Sequence, residues 1–313
     1  MGSSTRAPRR TRATFALTLA LILLLFAAGV YLLANGSRTG NPPRPATALV
    51  KIAFVPEQTL RYRFHMTVAS VAASGGSSVT SNEVFQATSS WHVDSVDAQR
   101  QAAVTVTMTN VNDSVDGTAY AQPTQTLHLQ IAADDRVLAE AGFGTTSGRR
   151  NAGPGFPGMD QLIPLLPGHP VAVGEVWNHT FDQANPLGTG TIHFATASVL
   201  MRPEQVKNVR AAVIHSTSIV SIDALIDLRS ALAATGQPTT GLVEGTEPIN
   251  SYFGQMNVRQ TAWVDPARDS LIKSTTVGAF AVFLTRVGGG GAGSPASQRV
   301  AYTGTIAIDL QPI

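Results

Sequence analysis

A serine and a lysine lie three residues apart, at Ser270 and Lys273. Serine acyl-transfer enzymes use this Ser-x-x-Lys spacing when a helix brings the amine beside the hydroxyl. Here the four residues follow Asp265-Pro266, a turn signal between two strand-like runs, and residues three apart on a strand point to opposite faces. The companion Ser-Asp-Asn and Lys-Thr-Gly motifs are also absent. The pair therefore does not predict a catalytic serine.

Histidines and carboxylates are the other candidates for chemistry. The seven histidines include no HExxH motif and no i, i+2 pair, so no strand face presents two neighbouring imidazoles. Catalytic carboxylate pairs need burial to separate their pKa values, and the pairs in this chain fall in turn-like stretches that do not indicate burial. These pairs are Asp94 and Asp97, Asp113 and Asp116, and Asp134 and Asp135. The sequence predicts no enzyme, no metal site and no cofactor.

Basic charge is concentrated at the N-terminus. Removing the six arginines that precede Glu57 from the 22 basic residues leaves 16 against 20 acidic residues, a formal charge of −4. The sequence pI of about 9.1 therefore belongs to the tail and predicts no nucleic-acid partner for the rest of the chain. Because the chain has no cysteine, disulfides, thiol nucleophiles and lipid attachment to cysteine are excluded.

An uncharged run from Ala13 to Ala34 predicts a transmembrane helix. The basic residues before it predict a cytoplasmic tail over 1–12 and an extracytoplasmic body, in a single-pass protein of the cell membrane. Residues 35–48 read as a Pro/Gly linker, and 49–313 as the β domain. A cleaved signal peptide, with cleavage after Ala27-Ala28-Gly29, is the alternative to an anchor.

The body shows period-two alternation. Such alternation predicts antiparallel strands with one buried and one wet face, curled into a half-barrel or packed as a sandwich. Gly304 suggests a bulge or bend within the last strand. Val277–Leu284 is apolar on both faces and predicts a central strand with little exposure. The clearest alternating runs are 60–68, 103–111, 126–131 and 299–310.

One or two short helices are expected. Ser221 to Gly236 has a helix-like pattern with Ser221 as N-cap, although its first half equally continues the preceding strand. A single turn is expected at Asp160 to Ile163. The three prolines of PLLPGHPVAVGEVW, 164–177, predict an extended crossover between two meanders, after which Val171 and Val173 enter the sheet and Trp177 anchors it.

Three stretches carry a family resemblance: VPEQTLRYRFHMTV, PLLPGHPVAVGEVW and TAWVDPARDSLIKST. In them the chain resembles a family of bacterial exported proteins of unknown function and, more distantly, the LolA/LppX-type lipoprotein carriers. The resemblance covers about residues 50–310, and its short motifs indicate a pattern of strands and turns more than a chemistry. The chain departs from those carriers in lacking a lipidated cysteine.

Two functions are compatible with this pattern. The leading hypothesis is a membrane-tethered β domain that binds a lipid or another apolar ligand, because a large curled sheet with few covering helices commonly leaves room inside. The alternative is a structural or sensory ectodomain of the cell envelope with a solid core and an unknown protein partner. Aromatic residues expected to line a ligand site are Phe64, Trp91, Trp177, Phe280 and Phe283.

Overall fold

The computed structural model describes residues 47–141, 162–185, 188–227, 249–287 and 299–313. These residues are mainly β and contain no helix, so none of them forms a helix that could cross a membrane. The apolar run 13–34 and the basic tail lie outside the described residues. The strands are β1 Thr47–Ala48, β2 Thr59–Ser74, β3 Ser77–Val96, β4 Ala102–Val115, β5 Thr118–Ala121, β6 Gln125–Ile131, β7 Val137–Ala141, β8 Val171–Ala172, β9 Val176–Ala184, β10 Gly188–Leu200, β11 Glu204–Val206, β12 Val209–Asp227, β13 Ile249–Asp265, β14 Ser270–Val287 and β15 Arg299–Pro312.

One antiparallel sheet holds all strands except β1 and β8. Its order is β7-β6-β4-β3-β2-β15-β14-β13-β12-β10-β9, with β5 on β4 and β11 on β12. Two meanders, β2–β7 and β9–β14, are therefore joined by β15, which pairs with both β2 and β14. The two edge strands of this sheet, β7 and β9, approach each other. Cζ of Arg136, beside β7, lies 5.3 Å from the ring centroid of Phe181 on β9. The sheet is a nearly closed, barrel-like curl, as the alternation predicted.

Side-chain alternation separates a buried face from an exposed one. In β6, Leu127, Leu129 and Ile131 are fully buried while the residues between them are exposed, and Val106 and Met108 of β4 continue this buried face. Burying such side chains contributes about 1.5–3 kcal/mol each and fixes the register, since a one-residue slip would turn every one of them outward. The strands predicted at 60–68, 103–111, 126–131 and 299–310 are confirmed.

The proline-rich crossover lies against the core. Leu162, Ile163 and Leu166 are buried there, and Trp177 donates a hydrogen bond from Nε1 to the Leu165 carbonyl oxygen at 2.9 Å. Trp177 therefore anchors the crossover as predicted. The prediction that Val171 and Val173 enter the main sheet was wrong.

The crossover instead makes a separate two-stranded ladder. Val171 pairs with Ala48 in this small sheet, Val173 is half exposed, and the main sheet resumes at Val176. The crossover prolines thus lead into a short ladder with the start of the described chain rather than directly into the main sheet.

Three further local expectations had different outcomes. Ser221–Asp227 continues strand β12, which was the alternative to a helix there, and the rest of the helix-like segment lies outside the described residues. Leu162 and Ile163 form a turn and a bend, and the rest of the single turn expected from Asp160 lies outside the described residues. Gly304 sits in unbroken register, and its role is close approach, since a Cβ there would lie 2.2 Å from the Ala69 carbonyl oxygen.

Candidate functional site

The two aromatic residues predicted on β2 and β3 are part of the packed core. Phe64 is 7% exposed and meets Phe85 edge-on, with ring centroids 5.7 Å apart. Trp91 is 3% exposed, meets Tyr62 at 6.1 Å and donates from Nε1 to the Ser89 hydroxyl at 2.8 Å. Both side chains have their contacts within the protein.

The other three predicted aromatic residues lie apart from one another. Trp177 is held against the crossover, and Phe280 is buried over Gly304, where its ring fills the space that a Cβ would need. Phe283 is on the outer face, with Cζ of Arg299 3.9 Å from its ring centroid. None of the five predicted residues borders either of the two concavities described next.

The first concavity is a small cavity inside the curl. It lies beside Ile163, Phe181 and Phe194, between the crossover and the inner faces of β9, β10, β12 and β13. Its volume is about 20 Å³. This is room for roughly one water molecule, so the cavity is far too small for a lipid chain.

A polar row crosses the inner face near this cavity. Ser198, Ser216, Gln260 and Thr276 are cross-strand neighbours on four successive strands, and all are buried. The hydroxyls of Ser198 and Ser216 are hydrogen-bonded at 2.8 Å. In the next row, the fully buried Ser274 hydroxyl has no hydrogen-bond partner among the described residues. The row from Ser198 to Thr276 forms a polar stripe within an otherwise apolar core.

The second concavity is a groove of about 510 Å³ on the outer face of the sheet. It runs across β13, β14, β15, β2 and β3, between two rows of outward side chains that follow the strand register, and its floor is the backbone of the row between them. We call it the transverse groove. One row is Arg259, Val277, Ala307, Thr67 and Val84, and the other is Asn257, Ala279, Thr305, Ala69 and Asn82.

Small side chains leave this part of the face hollow. The six outward residues on the three central strands are all alanine, valine or threonine. Beneath them, Gly278 contributes only backbone to the floor. Two rows on one strand face are about 7 Å apart, and five strands span about 19 Å. The groove is therefore long and narrow enough to take one extended chain rather than a compact molecule.

Charge differs between the two ends of the transverse groove. Arg259 is exposed at the β13 end, and it makes no ion pair with any residue that the structure describes. At the β3 end the outward side chains are the uncharged Asn82 and Val84, while Glu83 between them contributes backbone and faces the inner side of the sheet. The centre carries apolar groups and two threonine hydroxyls, so the groove offers an apolar path with a cation at one end.

The residues first considered for chemistry do not assemble into a catalytic group. The Asp265-Pro266 hairpin is confirmed, and Lys273 places Nζ 3.9 Å from the Trp263 ring centroid. Its ammonium group is therefore used in a cation–π contact. His92 Nε2 lies 3.9 Å from an Asp94 oxygen. Across the described ranges, no cluster of three or more histidine and acidic side chains is arranged to hold a metal ion.

Two of the paired carboxylates are buried, which corrects the sequence expectation. Asp113 is 1% exposed and accepts a hydrogen bond from Gln122 Nε2 at 3.0 Å. Asp135 is 5% exposed, and its pKa is raised, first by burial and then by the neighbouring charge of Asp134. The tight β6–β7 turn buries Asp135, and alternation patterns carry no information about such a turn.

Sequence reasoning missed the transverse groove, although one signal pointed to it. Val277–Leu284 was predicted to be a central, covered strand, and β14 is central in the sheet order. Its outer face is nevertheless open, since Val277 is 47% exposed and Ala279 and Ala281 are also exposed. Apolar residues on both faces of β14 thus accompany an open outer face instead of a second buried layer.

Comparisons with known proteins give little further guidance. No family model matches the chain, and no curated protein matches it. Among solved structures, a mutant of the Rh. blastica porin aligns over 80% of this chain and all of its own, at 6% identity and a TM-score of 0.22. The resemblance to exported carriers therefore stays a prediction.

Proposed function

We propose that this chain is a non-enzymatic binding domain, tethered outside the cell membrane by residues 13–34, and that its transverse groove takes a lipid or another apolar ligand. The observation that carries the proposal is the difference in volume between the two concavities. The groove measures about 510 Å³, whereas the interior cavity measures about 20 Å³. Ligand sites of proteins usually fall between about 300 and 1,000 Å³.

The site differs from the one expected for a carrier. A carrier of the predicted kind encloses its ligand inside the curl, and the inner face described here is filled by its own side chains. An outer groove instead leaves one side of the ligand accessible. Such a site suits transient capture or handover at a membrane surface better than long-term storage.

The expected affinity is moderate. A chain and groove that together bury roughly 400 Å² of apolar surface gain about 10 kcal/mol. Association costs of at least ~4 kcal/mol leave about 6 kcal/mol, which corresponds to a Kd of some tens of micromolar. Equilibrium titration is therefore a better test than copurification.

The test fills the groove from one of its two side rows. Ala279→Trp places an indole in the transverse groove, while Ala281→Trp places the same ring two residues along the same exposed face, outside the groove. We expect a fluorescent fatty-acid analogue to bind wild-type residues 46–313 and Ala281→Trp, and to lose at least tenfold in affinity for Ala279→Trp. Equal binding by all three proteins would place the site elsewhere, and no binding at millimolar probe would reject the proposal.

A second candidate, a protein-binding ectodomain of the envelope, is favoured by one observation. Phe253 is 59% exposed on the outer face and lies directly opposite Phe283 in the strand register. Large exposed aromatic residues are typical anchors of protein interfaces. Failure of the fatty-acid titration, together with photo-crosslinking of a neighbouring envelope protein from position 253, would favour this candidate.

A further inference from the structure

The two ends of the transverse groove are chemically different. At the β13 end, Arg259 and Asn257 present a guanidinium and a carboxamide, and both side chains are exposed. At the β3 end, the outward side chains are those of Asn82 and Val84, and neither carries a charge. A guanidinium is charged at every physiological pH and offers five donors suited to carboxylate or phosphate oxygens.

Width and length restrict what can lie between these ends. The two rows lie about 7 Å apart from centre to centre, so one hydrocarbon chain can lie along the trough between them but two cannot lie side by side. The length of about 19 Å from β13 to β3 matches that of a long extended acyl chain. Val277, Ala279 and Ala307 line the central part of this path, where they contact methylene groups without presenting any charge.

Resting on the function proposed above, we propose that the ligand is a single-chain anionic amphiphile of the fatty-acid type. Its carboxylate lies at Arg259 and Asn257, and its chain crosses β14, β15 and β2 toward β3. Asn82 and Val84 at the far end offer no cation for a carboxylate, which disfavours the reverse orientation. The same features discriminate against long-chain alcohols, which cannot pair with the guanidinium, and against amines, which it repels.

The expected preference is modest because Arg259 is exposed. Pairs of this kind are screened by solvent and typically change an equilibrium by about two- to fivefold. The effect should weaken further as salt is added, since the Debye length falls to about 3 Å at 1 M ionic strength.

The experiment uses the full-length chain in lipid nanodiscs with two diazirine probes of equal chain length, a fatty acid and the corresponding fatty alcohol. Three proteins are compared: wild type, Arg259→Gln, and Arg63→Gln as a matched loss of an exposed outward arginine on β2 outside the groove. Crosslinked peptides are quantified by mass spectrometry at low and high salt.

We expect wild type and Arg63→Gln to crosslink the acid about two- to fivefold more than the alcohol within the groove peptides, and Arg259→Gln to crosslink both equally. Equal labelling by both probes in wild type, or a preference that survives Arg259→Gln, would overturn the head-group assignment while leaving the groove as an apolar site. Absence of groove labelling by both probes would overturn the head-group assignment and the proposed function together.

Discussion

Replacing Asp135 with asparagine should stabilise the protein. Asp135 lies in the β6–β7 turn at φ 67°, with its backbone N–H donating to the Ala132 carbonyl oxygen at 3.0 Å. Its side chain is 5% exposed, and burial is the main cause of its raised pKa, with the charge of Asp134 adding to it and Arg100 opposing it. Asparagine keeps the size of the side chain and tolerates the left-handed backbone, so the substitution removes the charge alone.

The magnitude follows from the desolvation of one carboxylate. Removing the cost of burying a poorly compensated polar group gains about 1–3 kcal/mol. The free energy of unfolding of Asp135→Asn should therefore exceed that of wild type by this amount near neutral pH. Because the pKa of Asp135 is raised in the folded state, the folded protein is favoured when this carboxyl is protonated. The contribution of Asp135 to stability is therefore complete below its unfolded pKa of about 3.9 and is lost as pH rises through its folded pKa. The advantage of asparagine must shrink toward zero in acid.

Urea unfolding of residues 46–313 at several pH values measures this difference. Asp269→Asn is the matched control, since Asp269 also lies in a turn at positive φ but is partly exposed, with Oδ2 paired with Lys51 Nζ at 2.8 Å. Loss of that screened pair should change the free energy of unfolding by less than about 1 kcal/mol. The reasoning would be refuted if Asp135→Asn lowered stability at neutral pH, or if its gain did not depend on pH.

Two further substitutions test the interior. Tyr62→Phe removes the buried hydrogen bond from the tyrosine hydroxyl to the Leu271 carbonyl oxygen, at 2.7 Å, and should lower the free energy of unfolding by about 1–2 kcal/mol in urea titrations, whereas an unchanged midpoint would mean that water replaces the bond. Ser274→Ala removes a buried hydroxyl without a described partner and should raise the melting temperature, while Ser198→Ala leaves the Ser216 hydroxyl without its bond at 2.8 Å and should lower it. Shifts of the same sign for these two serines would contradict the assignment.

The strands could be predicted from the sequence because the patterns that indicate them lie within short stretches of the chain. Alternation along Leu127, Leu129 and Ile131 determines which face is buried, whatever the strand pairs with. The Asp265-Pro266 hairpin was equally accessible, since Asp265 Oδ1 accepts hydrogen bonds from the backbone N–H groups of Ala267 and Arg268 within its own turn. Ser221–Asp227 failed as a helix because β10 and β13 pair with it on both sides, and pairing across the sheet overrides a local pattern.

The transverse groove could not be predicted in the same way. It depends on the register that places Thr67, Ala307 and Val277 side by side from three distant parts of the chain. Large aromatic residues were the natural candidates for a ligand site, and four of the five are core or crossover anchors. The groove instead depends on small side chains. Alanine, valine and threonine are common on strands, so their presence in the sequence does not indicate a groove.

The position of β15 between β2 and β14 has a consequence for how the protein is made. Strand β2 pairs with β15, with Tyr62 opposite Pro312, so the first meander cannot join the second until β15 has been synthesised. Until then both β2 and β14 carry a long unpaired edge, and such edges promote aggregation, while pairing at such sequence separation is slow. A truncation that removed the 14 residues of β15 would divide the sheet into two halves that no other described strand connects. Assembly of the two meanders into one sheet therefore depends on β15, which follows both of them in the chain.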